Sequence, residues 1–251
     1  MSSIAISFEN VVKSFGAKTI LRGVSFEISA GEIAFILGTS GTGKSVTLKN
    51  IVGLMKPDSG KIFIEGSNIA EYSEDELFEV RKICGMVFQH PALFDSLSVY
   101  ENVAYGVRRH FRVDEAELRL RVEKSLTAVN VSGLDDELPA ALSYGMQKRV
   151  SLARTLAVQP RILLFDEPTT GLDPVTTSAV NYLIQNLSRE LKTTSVVVSH
   201  DMRCALEIAD RVIVLDKGQV IENSSVTDIK KSRHPLVQEF LAEILAEENM
   251  V

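Results

Sequence analysis

The apolar positions of the chain fall into short blocks of two kinds, and their order predicts the architecture. Ile4–Phe8, Val24–Ile28, Ile33–Leu37, Lys61–Ile64 and Ile83–Phe88 are short and rich in β-branched or aromatic side chains, so the first ninety residues read mostly as strands. Pro57-Asp58-Ser59-Gly60 is a turn signal. From about His90 to Ala157 the spacing changes: Val99–Val107 and Ala116–Val129 place apolar residues three and four apart, the period of an amphipathic helix. Strands return at Ile162–Phe165, Ser195–Val198 and Arg211–Leu215, with helices between them. The pattern predicts an α/β core with a largely parallel sheet, N-terminal antiparallel strands and an inserted α-helical subdomain. Residues 1–89 and 158–223 are assigned to the core, 90–157 to the insertion and 224–251 to a helical tail. The tail carries Leu236, Val237, Phe240, Leu241, Ile244 and Leu245 on one face, which either docks on its own domain or serves a partner.

One loop changes this picture from a fold to a chemistry. Gly38 to Ser45 reads GTSGTGKS, the Gly-x-x-x-x-Gly-Lys-Ser pattern of a phosphate-binding loop. It follows the apolar run Ile33–Leu37 and precedes a helical pattern through Leu48, Ile51, Val52 and Met55, the strand–loop–helix setting that the pattern requires. Its glycines let backbone N–H groups curl around a polyphosphate. Lys44 is placed for the β- and γ-phosphates and the Ser45 hydroxyl for Mg²⁺.

Other strand ends complete the set. Ile162-Leu163-Leu164-Phe165 runs into Asp166 and Glu167, so Asp166 is placed to hold Mg²⁺ through water and Glu167 to polarise an attacking water. Ser195–Ser199 runs into His200 at the same inferred edge, where an imidazole can donate to a γ-phosphate. Gln89, after the strand ending at Phe88, carries an amide able to reach the metal or the water. Ser143 opens a helix running toward Val158; it is a good N-cap, and a hydroxyl with free N–H groups is also an anion site.

Composition narrows the classes. With 251 residues, 45% apolar and 24% charged, the chain can bury a full core. A net charge of −6 gives no general attraction to nucleic acid. Cys84 and Cys204 lie far apart in apolar contexts, which suits buried reduced thiols. No signal peptide and no membrane-spanning run is evident, so a membrane role is expected to come through a partner.

Taken together, these residues resemble the nucleotide-binding subunit of an ABC transporter over about residues 5 to 245. The elements stand in family order: phosphate loop, Q-loop at Gln89, signature at Leu142–Met146, the Asp166-Glu167 pair, D-loop at Gly171-Leu172-Asp173, and switch histidine at His200. The resemblance implies a P-loop NTPase fold of the ABC ATPase type, hydrolysing ATP with Mg²⁺. It implies that Phe15 stacks on adenine, that Gly38, Thr39, Ser40, Gly41, Thr42, Gly43, Lys44, Ser45 and Val46 cradle the phosphates, and that Ser45, Gln89 and Asp166 serve the metal. Lys44, Gln89, Glu167 and His200 take the catalytic roles. Ser143, Gly145 and Asp173 would act on nucleotide across a head-to-tail homodimer. The signature departs from Leu-Ser-Gly-Gly-Gln at Tyr144 and Met146 but keeps Ser143 and Gly145.

A narrower likeness lies in Val46, in Ala92–Val103 after the Q-loop and in His-Pro-Leu-Val-Gln-Glu-Phe-Leu at the tail. These are similar to the ATPases of Mla/Mce-type lipid transporters, although Pro91 replaces the Gly common there. That likeness implies an integral membrane permease as partner, with a small regulatory subunit and a lipid-binding Mce-type protein as further partners. It also implies a cytoplasmic chain held on the cytoplasmic face of the bacterial inner membrane. Leu93, Phe94, Leu97 and Val99 are either permease-contacting or core. The rival classes are another importer ATPase, a non-transport ABC ATPase of the iron–sulfur assembly type and a non-hydrolysing ATP-gated scaffold, the last disfavoured by intact Glu167 and His200.

Overall fold

The computed structural model describes residues 3–248, with side chains through 244. In chain order the strands are β1 (Ile4–Phe15), β2 (Lys18–Ser29), β3 (Ile33–Leu37), β4 (Ser59–Ile64), β5 (Ser67–Asn68), β6 (Cys84–Val87), β7 (Ile162–Asp166), β8 (Thr194–Ser199), β9 (Arg211–Asp216) and β10 (Gln219–Ser225). The helices are α1 (Lys44–Ile51), α2 (Glu74–Ile83), α3 (Val99–His110), α4 (Glu115–Ala128), α5 (Tyr144–Leu156), α6 (Pro174–Leu191), α7 (Met202–Ile208), α8 (Val226–Ile229) and α9 (Pro235–Glu248).

The strands form two sheets. One has the order β10-β9-β3-β8-β7-β6 and is parallel except for β10 at its edge; the other, β2-β1-β4-β5, is antiparallel. The central strands β3 and β8 are buried at every position, and β3 is apolar throughout, because both faces are covered. In β3, Ile33, Phe35 and Leu37 point into a core shared with α3, α4, α5, α7 and α9. Ala34 and Ile36 point the other way, into a core shared with α1, α2 and the antiparallel sheet. The insertion therefore packs onto the main sheet through a continuous apolar layer.

The structure departs from the expected elements at several points. The first ninety residues hold α2, which was read as part of a strand region; its signal is the capping box Ser73–Glu76, with Glu76 N–H donating to Ser73 Oγ and Ser73 N–H to the Glu76 carboxylate. Helix runs through Ile83, so the strand expected from Ile83 to Phe88 is shortened to β6. The tail expected from 224 begins inside β10, which extends the sheet by pairing antiparallel with β9. β1 and β2 are far longer than read, because register shifts at Phe8–Val11 and Lys13–Ser14 let one hairpin continue past polar positions.

The tail face docks on its own chain. Val237 and Phe240 are buried, and Leu236, Leu241 and Ile244 pack against the same core. Leu245, expected on that face, lies outside the residues with described side chains. Among the described residues no helix is long and apolar enough to cross a membrane.

Two predictions follow from burial. Phe35→Ala should lower the unfolding free energy by about 3–5 kcal/mol in a denaturant melt, since a wholly buried aromatic is lost from the central strand. Burial pushes both thiols, Cys84 and Cys204, up to about 12. Iodoacetamide at about pH 8 should therefore label neither in the native protein and both after unfolding, read by mass spectrometry.

Candidate functional site

The site arises where three parallel strands end. Leu37 of β3 is paired with Ser199 of β8, and Asp166 of β7 with Val198 of β8. The residues that follow, Gly38, His200 and Glu167, therefore emerge together at the carboxyl edge of the sheet, where open α/β sheets place ligands.

The loop after β3 is shaped by close approach. A Cβ on Gly38 would lie 2.4 Å from the Leu215 carbonyl oxygen, and one on Gly43, at φ 106°, would lie 2.6 Å from Leu21 Cδ2. The Thr42 hydroxyl donates to Thr39 O at 2.9 Å, closing the turn. Gly43 caps α1 without a side chain, so the first N–H groups of the helix have no side-chain acceptor and suit an anion. Lys44, only 7% exposed, donates to Gly38 O at 2.8 Å and Thr39 O at 3.1 Å, and its Nζ stands 3.5 Å from Glu167 Oε1.

Ser45 and Asp166 meet across the sheet edge, the Ser45 hydroxyl donating to Asp166 Oδ1 at 2.8 Å. Glu167 is the most constrained residue of the group. Its backbone is left-handed at φ 50°, its N–H donates to Val198 O at 3.0 Å, and its Oε2 accepts from Thr170 Oγ1 at 2.9 Å. His200 Nδ1 lies 2.8 Å from the same oxygen. A left-handed backbone held by so many partners marks Glu167 as a candidate functional position.

These groups line one cavity of about 800 Å³. The structure brings together there Phe15, Thr39, Ser40, Gly41, Gly43, Lys44, Ser45, Val46, Gln89, Glu167 and His200, with Gly38, Thr42 and Asp166 bonded to its walls. The volume suits a drug-sized or nucleotide-sized ligand. Phe15 is 47% exposed at the rim, with Lys13 Nζ 5.7 Å from its ring centroid. The oxygen donors Ser45, Gln89 and Asp166 suit a hard cation such as Mg²⁺.

Three expected residues are not brought to this cavity. Ser143 caps α5, accepting from Met146 N–H at 3.3 Å; Asp173 caps α6, accepting from Thr176 N–H at 3.0 Å. Hydrogen bonds from the Thr176 hydroxyl, then from its N–H, hold the Asp173 carboxyl below its usual range. A Cβ on Gly145 would meet nothing within 4 Å, so packing within the chain does not demand glycine there.

The structure adds residues that the sequence reading passed over. Thr170 orients Glu167, and Lys18, Ile20, Phe240 and Glu243 line the cavity. Thr170 stands three residues after Glu167, a spacing that could have flagged it. Nothing local marks the tail residues, which reach the cavity only through packing.

The chain belongs to the ABC transporter family, whose model matches residues 21–170, and it is an ATP-binding and ATP-hydrolysing member. It is 38% identical to the probable ribonucleotide transport ATP-binding protein mkl of Mycobacterium leprae, over 95% of this chain and 69% of that one. It is 39% identical to protein TRIGALACTOSYLDIACYLGLYCEROL 3, chloroplastic, of Arabidopsis thaliana, over 95% of this chain and 74% of that one. It is 40% identical to the sulfate/thiosulfate import protein CysA of Bradyrhizobium diazoefficiens, over 91% and 66% respectively. The chain thus spans about two thirds of the length of these relatives. Among solved structures, cbiO1 of Clostridium perfringens, part of the transporter complex cbiONQ, matches with TM-score 0.85 and 32% identity over 92% of both chains. The dimeric cassette MJ0796, solved in a post-hydrolysis state with ADP and Pi, matches with TM-score 0.81 and 33% identity over 88% of this chain and 98% of that one.

Thr170→Val should lower kcat for ATP about tenfold with KM little changed, because it loses a hydrogen bond to a charged, positioned carboxylate. Steady-state kinetics check the split.

Proposed function

We propose that two copies of this chain close head-to-tail around two ATP molecules and that hydrolysis drives transport through a separate membrane permease. The observation carrying this reading is the division of the expected residues: one set shares a cavity, while Ser143, Gly145 and Asp173 do not line it, and a Cβ on Gly145 would meet nothing within 4 Å. A second copy would supply them. The dimeric cassette among the structural relatives supports that arrangement.

In the closed pair, the loop N–H groups and Lys44 hold the β- and γ-phosphates, and Phe15 stacks on the adenine. Mg²⁺, held by Ser45 and Gln89 with Asp166 behind, would offset the charge on the phosphates. Glu167 accepts a proton from the attacking water. Thr170 and His200 keep its carboxylate aimed, and the His200 imidazole would also donate to the γ-phosphate. Ser143 of the second copy completes the anion site.

The permease side is assigned to a groove of about 280 Å³ lined by Met86, Phe94, Tyr105, His110 and Arg154 among others. Phe94 and Tyr105 are 41% and 49% exposed with ring centroids 4.7 Å apart. Of the four apolar residues left open by sequence, Val99 is core, Leu93 and Leu97 are half-buried and Phe94 is exposed. Asn102 fixes this segment by bonding Phe94 N–H and the carbonyls of Phe94, Leu97 and Ser98. Such a preformed surface suits a permease at the cytoplasmic face of the bacterial inner membrane.

For the cargo, the reading favours lipid. Val46, the segment after Gln89 and the tail support it, as does a relative named for trigalactosyldiacylglycerol. An Mce-type protein and a small regulatory subunit would then be further partners. The likeness to CysA favours import of another cargo as the second reading.

Glu167→Gln should bind ATP, accumulate as a dimer in size-exclusion chromatography and lose at least about a hundredfold in turnover; unchanged turnover contradicts the role of Glu167. Phe94→Asp with Tyr105→Asp should abolish co-purification of the permease from membranes. Mass spectrometry of the wild-type complex should find bound lipid, whereas a sulfate-loaded complex free of lipid would favour the second reading.

A further inference from the structure

One side chain touches two segments of the site and has no role in the reading above. Tyr144 is the first residue of α5, and at 44% exposure it is not part of the core. Its hydroxyl donates to the Gln89 carbonyl oxygen at 3.4 Å and lies 3.3 Å from His90 Nδ1. One turn along α5, Lys148 Nζ stands 5.2 Å from the centroid of the Tyr144 ring, a cation–π contact, and donates at 2.9 Å to the carbonyl of Pro168. Pro168 directly follows Glu167. Further along the same helix, Arg154 donates to the Ala92 carbonyl at 2.8 Å and the Pro91 carbonyl at 3.4 Å. Helix α5 thus holds segment 89–92 at both ends and reaches the carbonyl of Pro168 beside Glu167.

We propose that Tyr144 is a positioning residue that couples the placement of Gln89 at one ATP to the placement of Ser143 and Gly145 at the other. This rests on the two-copy reading and deepens it. Both bonds of the hydroxyl are near the outer limit of a hydrogen bond, so a shift of a few tenths of an ångström in residues 89–90 either draws the start of α5 along or breaks the link. Ser143 is the adjacent residue, and its hydroxyl direction is set by the first turn of α5 through the bond from Met146 N–H. Lys148 carries the same displacement to the carbonyl of Pro168, the residue after Glu167. Glycine at position 144 would provide neither contact; phenylalanine would keep the ring over Lys148 and lose the hydroxyl.

The test is ATP hydrolysis against ATP concentration for the full chain, for Tyr144→Phe, for His90→Ala and for the double variant. The wild type should be cooperative. Tyr144→Phe should bring the Hill coefficient toward one and raise the half-saturating ATP concentration about fivefold, the low end of couplings between binding sites, while ATP-dependent dimerisation of the Tyr144→Phe/Glu167→Gln chain persists. The double variant should be no worse than Tyr144→Phe alone, because both changes remove one link. A cooperative, dimerising wild type with unaltered Tyr144→Phe kinetics, or with additive losses in the double variant, overturns the role of Tyr144 and leaves the two-copy reading standing. A wild type that is hyperbolic in ATP and never dimerises overturns both.

Discussion

The parallel pairing of β3, β8 and β7 is the constraint on which everything else depends. Each strand is buried on both faces, so alternate residues serve different cores: Ile33, Phe35 and Leu37 pack toward the helical insertion, Ala34 and Ile36 toward the antiparallel sheet. A slip of one residue would send every side chain to the wrong core. That apolar demand pins Leu37 to Ser199 and Asp166 to Val198, and through them the polar residues that follow. The relative positions of Lys44, Glu167 and His200 are in this sense set by hydrophobic packing.

On that frame the charged groups hold one another. The Lys44 ammonium sits between two loop carbonyls and the Glu167 carboxylate, and that carboxylate is shared with Thr170 and His200. The backbone at Glu167 bears an unfavourable left-handed conformation, which the bond to Val198 O and the side-chain contacts sustain. A carboxylate fixed in this way needs little reorganisation to accept a proton, which is where positioned groups gain most in phosphoryl transfer. The insertion contributes differently: the Ser143 cap of its helix α5 does not line the cavity of its own chain, and the same helix is tied to the Q-loop segment through Tyr144 and Arg154.

Much of this was legible in the sequence because it rests on local rules. Gly-x-x-x-x-Gly-Lys-Ser after an apolar run specifies its own loop, and apolar strands ending in Asp166-Glu167 or Ser199-His200 declare both their burial and their polar ends. What escaped was set by context. Helix α2 is polar on most of its surface, with only Leu77 and Val80 buried, so no apolar stripe announced it. β10 alternates weakly and is stabilised as an edge strand by β9. Phe240 and Glu243 reach the cavity because α9 folds back onto the core, a tertiary event with no local signature. Tyr144 could be seen as a departure from the signature, but its partners lie 54 and 55 residues away and only the fold brings them together.

The central claim is that each ATP site is built from two copies of the chain, and mixing two inactive variants tests it most directly. Lys44→Ala disables the loop side of a site and Ser143→Ala the signature side. In a head-to-tail pair made of one of each, one site has both defects and the other has an intact Lys44 facing an intact Ser143. The account predicts that each variant alone hydrolyses ATP at background level and that an equimolar mixture regains activity. A mixture that stays at the level of its components would contradict it.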